Sequence, residues 1–202
     1  MIDVHFVILG AAIGAVGTWW YLRDTLRGVT RPNRVTWALW TALPLLAFAV
    51  EVQAGVGLRA LMTFVSGFGP LLVFVASFRN PHATWRIERI DWACGALSLA
   101  GLVVWLSAHQ ATVGLVAFIV ADALAALPTL RKSWLAPETE TAAAYATAAL
   151  NGAITMLTVS RWTTAVVSFP LYIVVIASLE ALLVGARLGP RRRARRRARP
   201  VV

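Results

Sequence analysis

Residues 3–34 read Asp3-Val4-His5-Phe6-Val7-Ile8-Leu9-Gly10-Ala11-Ala12-Ile13-Gly14-Ala15-Val16-Gly17-Thr18-Trp19-Trp20-Tyr21-Leu22-Arg23-Asp24-Thr25-Leu26-Arg27-Gly28-Val29-Thr30-Arg31-Pro32-Asn33-Arg34. A run of about 20 mostly apolar residues is long enough to cross a hydrocarbon layer about 30 Å thick as a helix. Its positive charges, Arg23, Arg27, Arg31 and Arg34, follow the run, and Met1-Ile2-Asp3 offers no basic leader. The segment therefore reads as a retained span and not as a removable signal peptide, with its C-terminal end inside.

Working outward, similar runs recur along all 202 residues, of which 59% are hydrophobic and only 14% charged, at a mean hydropathy of +0.71. A soluble chain of this length needs more polar surface than that to cover its core. The pattern predicts spans over 3–22, 36–55, 59–78, 91–108, 111–130, 142–159 and 163–185, an all-α membrane protein of seven transmembrane helices. Pro32-Asn33-Arg34 is a helix entry, Gly55-Val56-Gly57 a tight turn, and Asp91 opens the fourth span. The Ala-rich sixth span is the weakest member of the count. With the N-terminus outside, 17 of the 19 basic residues fall on inner segments, and only Arg59 and Arg161 fall outside. Leaving out the tail beyond 186 the ratio is still nine to two, and a count of six or eight breaks the alternation. Trp19, Trp20, Trp92, Trp105 and Trp162 suit an interfacial belt.

The formal charge of +10 does not imply nucleic acid. Eight of the 18 arginines sit in the last 16 positions, which reads as a mobile tail and a patch for anionic lipid headgroups. The heavy Arg bias over Lys suits a GC-rich bacterial genome, which makes a bacterial plasma membrane the expected location. Cys94 is a lone cysteine, and His5, His82 and His109 are dispersed near span ends, so no cofactor or metal is expected.

Two stretches look alike. Arg31-Pro32-Asn33-Arg34-Val35-Thr36 and Ala136-Pro137-Glu138-Thr139-Glu140-Thr141 each follow a basic loop and enter a helix through Pro-x-x-x-Thr, with prolines 105 residues apart; Gly69-Pro70-Leu71 and Phe169-Pro170-Leu171 match at an offset of 100. The order implies two parallel three-helix-bundle repeats joined by a linker helix. A three-helix unit reverses direction, so a fourth span must restore it before the second copy. The expected divisions are a first repeat over 1–80, a linker segment over 81–110, a second repeat over 111–186 and the tail over 187–202.

At these residues the chain resembles the PQ-loop and SWEET sugar-transporter superfamily. The local likeness is best over Leu127-Pro128-Thr129-Leu130-Arg131-Lys132-Ser133, which is similar to that family's Pro-Gln motif and the basic run after it. Thr129 stands where the family has Gln, and Trp20-Tyr21-Leu22 in the first repeat has no Pro-Gln pair. The resemblance implies a small-solute transporter.

Asp122 lies two-thirds of the way through the fifth span, where a carboxylate costs roughly 2.5–3.5 kcal/mol to insert. It reads either as a proton-coupling site or as a hydrogen-bonded structural acid. Asn151 in the sixth span shares a helix face with Thr147 and Thr155; the amide suits a polar solute or interhelical glue. Trp37 and Trp40 are held open as pathway residues. Pro44, Pro70, Pro128 and Pro170 each interrupt a span and are candidates for bending it. Gly10, Gly14 and Gly17 form a close-packing stripe. Glu51 is expected to pair with Arg59, and Glu180 with Arg187. No acid–base pair, nucleophile or phosphate loop appears, so an enzyme is not expected. The two function classes left are a small-solute transporter working by alternating access, with Asp122 as a proton-coupling candidate, and a non-transporting receptor or scaffold on the same fold. Lipid and a small solute are the expected partners, and a homo-oligomer is compatible with either class.

Overall fold

The computed structural model describes residues 2–53, 55–83, 85–108, 111–160 and 162–197. His109, Arg161 and Arg199, which entered the reading of span ends and charges, lie outside them. The helices are α1 (Phe6–Leu26), α2 (Arg34–Gln53), α3 (Ala60–Ala76), α4 (Arg89–Ser107), α5 (Ala111–Leu135), α6 (Ala142–Leu157), α7 (Thr164–Gly185) and α8 (Leu188–Arg197). There is no strand among the described residues.

The boundaries follow local chemistry. Asn33 Oδ1 accepts from Val35 N at 3.1 Å and Thr36 N at 3.4 Å, capping α2. Glu88 and Asp91 form a reciprocal capping box at the start of α4. Gly55 and Gly57 both sit at positive φ, 71° and 74°, which is what lets α2 turn back so tightly into α3.

Among the described residues, six helices are long and apolar enough to cross a membrane. Helix α6, at 16 residues, is shorter than the roughly 20 a full span takes. The outer surface agrees: Leu9, Val103, Leu106, Leu157 and Leu182 are each at least half exposed, while Lys132, Asp122 and Glu180 are buried. A water-soluble bundle would invert that distribution. These are the features of a multi-pass membrane protein.

Helix α3 lies between α1 and α2, and α7 lies between α5 and α6; α1 packs on α6 and α2 on α5, closing a circuit of six. Helix α4 stands outside it, against α5 and α2, where Ser98 Oγ donates to the Ala121 carbonyl at 2.7 Å. The glycine stripe brings α1 onto α6. A Cβ at Gly17 would run into Thr147 Oγ1 and come within 3.0 Å of Ala144 Cα.

Three expectations change. The segment beyond 186, read as a mobile tail, runs as α8 over residues 188–197 and folds back against α5 and α7. Arg187 makes the reversal at φ 50°, in the left-handed region. Glu51 does not pair with Arg59: its Oε1 accepts from Thr63 Oγ1 at 3.1 Å, while Arg59 Nη2 donates to the Thr158 carbonyl at 2.7 Å. Arg34, read only as a topology charge, also clamps α2 to the end of α3. It donates to Ser77 O at 2.7 Å and lies over the Phe78 ring at 4.0 Å.

Candidate functional site

Proline and small residues in α2, α3 and α6 keep the middle of the six-helix circuit from filling. A cavity of about 120 Å³ results. Every helix of the circuit contributes to its wall and α4 does not: Thr18 from α1, Trp40 from α2, Ser66 from α3, Asp122 from α5, Asn151 from α6 and Glu180 from α7 are examples. Six helices thus contribute polar side chains to one small, otherwise apolar space.

Asp122 is 2% exposed. Its Oδ2 accepts from Tyr172 Oη at 2.7 Å, and its Oδ1 has no partner. Asn151 also reaches the cavity, and its Oδ1 is unpartnered, although the side chain is wedged against α1 where Gly10 and Gly14 make space. Trp37 and Trp40 meet edge to face at 5.6 Å between ring centroids, and Trp37 Nε1 is another buried donor without an acceptor. A buried polar group left unpaired costs on the order of 1–3 kcal/mol, so a cluster of them around one cavity points to a polar occupant.

Pro44 and Pro70 are in the wall; Pro128 and Pro170 lie inside α5 and α7 but off the cavity. Because proline has no N–H, Pro44 and Pro70 leave the carbonyls of Trp40 and Ser66 without their helical donors, and both of those residues also line the cavity. Thr147 and Thr155 do not join Asn151 in facing it. Their hydroxyls donate to the Ala144 and Asn151 carbonyls of their own helix, at 2.9 Å each.

The end of the cavity nearest the basic loops is built from residues that sequence reading missed. Tyr21 and Tyr145, both in the wall, donate to the same Glu140 Oε2 at 2.7 Å each. Glu140 is also ion-paired with Lys132, and both side chains are fully buried. Lys132 in turn donates to the Arg31 carbonyl and lies 5.6 Å from the Trp85 ring centre. Glu180 is 1% exposed and in the cavity wall, with the buried Ser133 hydroxyl beside its carboxyl. It does not reach Arg187: α7 turns it inward, within electrostatic range of Glu140 and Lys132. A signal was available in the composition. The chain has one lysine among 19 basic residues and three tyrosines, and all three tyrosines donate to buried carboxylates.

No protein-family model, curated protein or solved structure matches the chain significantly.

Proposed function

We propose that the chain is a small-solute transporter working by alternating access, with the six-helix cavity as its binding site. In this reading it has seven spans: two parallel three-helix repeats, α1–α3 and α5–α7, joined by α4, on the plan of the PQ-loop and SWEET superfamily that its sequence resembles. The N-terminus is outside, and the basic loops and α8 meet anionic headgroups on the cytoplasmic side of a bacterial plasma membrane. Helix α6 crosses despite its length, since it is enclosed between α1 and α7.

The helix neighbours support the repeats. In each triple the third helix lies between the first two, and exchanging the triples maps the α1–α6 and α2–α5 contacts onto each other. Such an exchange is what a two-fold axis would give, and parallel repeats would set that axis along the membrane normal. The observation that carries the functional reading is the cavity itself, walled by all six repeat helices and not by the linker. A site shared by two triples can be exposed to either side by rocking one against the other. We assign Asp122, tethered by Tyr172, to coupling.

Flux of a panel of radiolabelled solutes into proteoliposomes tests this, with wild type beside Asp122→Asn. The expected result is saturable uptake of at least one solute, reduced about tenfold or more by the substitution. Absence of uptake across the panel, with no effect of Asp122→Asn, contradicts the reading.

A further inference from the structure

We infer that the solute is a small organic cation, an amine or quaternary ammonium, and not a sugar, an amino acid or a metal ion. This rests on the transporter reading for its consequence but on the cavity's own chemistry for its argument.

Charge comes first. In and immediately below the cavity, one buried lysine faces three buried carboxyl side chains: Asp122, Glu140 and Glu180. Lys132 is committed, since Glu140, the Arg31 carbonyl and the Trp85 ring surround its ammonium. Asp122 has one hydroxyl donor, and Glu180 has the Ser133 hydroxyl beside it but no cation of its own. Among the described residues, no lysine, arginine or histidine is in the cavity wall. Buried carboxylates require a counter-charge or enough donors, and Glu140 shows how this fold provides both. Asp122 and Glu180 lack a counter-charge of their own, and both residues line the same space.

Chemistry of the wall then narrows the cation. The rings of Tyr21, Trp37, Trp40 and Tyr145 line it, and indole and phenol faces attract ammonium groups, most strongly when water is excluded. The carbonyls released by Pro44 and Pro70 add acceptors, not donors. Apart from Thr18, Ser66 and Asn151, the rest of the wall is mostly alanine, valine and isoleucine, which suits methyl and methylene groups. A bare metal ion fits poorly, because no group of three metal-ligating side chains occurs among the described residues. A zwitterionic amino acid would bring a carboxylate to a wall with no cation to receive it. A sugar would bring no positive charge to the two carboxyl groups of the wall.

Choline and its uncharged carbon isostere, 3,3-dimethylbutan-1-ol, isolate the charge at constant shape. Their binding to the purified full chain in detergent can be measured by calorimetry, and choline uptake measured beside an uncharged solute panel in proteoliposomes. We expect choline to bind at least about tenfold more tightly than the alcohol. Asp122→Asn and Glu180→Gln, where their unfolding midpoints match wild type, should each weaken choline by about tenfold and leave the alcohol unchanged. Equal binding of choline and the alcohol by the wild type overturns the inference, and that comparison needs no variant. Choline binding without any flux upholds the cation site while refuting the transporter reading. Flux of an uncharged solute without choline binding does the reverse.

Discussion

Glu140 and Asp122 are both carboxylates buried in a bundle whose surroundings are mostly apolar, and the protein finishes them differently. Glu140 receives an ammonium and two phenol hydroxyls, so the end of the cavity nearest the basic loops is a charge-balanced plug. Asp122 receives one phenol, and its other oxygen has no partner. Satisfying every partner makes a group structural. Leaving some unsatisfied, in a space that can admit a solute, stores the binding free energy for that solute.

The comparison breaks most visibly at Lys132. Lys132→Met strands a buried carboxylate and should reduce unfolding free energy by about 3–5 kcal/mol in a detergent denaturation series. Adding Glu140→Gln to it should recover most of the loss, and failure to recover would mean the pair is not the plug. Next in size is the α1–α6 seam that frames the cavity. Gly17→Leu drives a side chain into Thr147 and Ala144 and should cost about 1–3 kcal/mol by overpacking, read as a lower thermal midpoint. Asp122→Asn tests the other half of the contrast, because its sign is reversed. Removing a carboxylate that lacks a counter-ion should raise stability by roughly 1 kcal/mol even as uptake falls; a drop like that of Lys132→Met would show Asp122 to be structural. The smallest effect is at the α7–α8 reversal. Arg187→Gly relieves a non-glycine residue at φ 50° and should add about 0.5–1 kcal/mol without altering binding.

Much of the fold was legible because membrane spans announce themselves locally. The predicted 36–55 and 163–185 correspond to α2 at Arg34–Gln53 and α7 at Thr164–Gly185: turn residues and run length set both ends. Asp122, Asn151, Trp37 and Trp40 could be singled out as polar or aromatic interruptions of apolar runs, and all four line one cavity. Glu180 was misassigned because the sequence offers Arg187 two turns along the same helix, whereas the structure turns the acid toward the cavity and α8 covers that end of α7. Glu140 lies in a loop, and Tyr21 is 119 residues away from it; no periodicity or spacing connects them. Helix α8 was hidden for another reason. A run of arginines reads as a solvated tail, and only the close approach of Gly189 to the Trp134 carbonyl shows it to be docked on α5.

The central claim is that the cavity opens in turn to both sides of the membrane. Cys94 is the only cysteine, so a Cys94→Ala background carrying Ala148→Cys in the cavity wall gives a single reporter. Its labelling by a membrane-impermeant thiol reagent can be measured in right-side-out and inside-out vesicles. The account predicts labelling in both orientations, slowed in each by choline. Labelling in neither orientation, or in one only whatever solute is present, would contradict it.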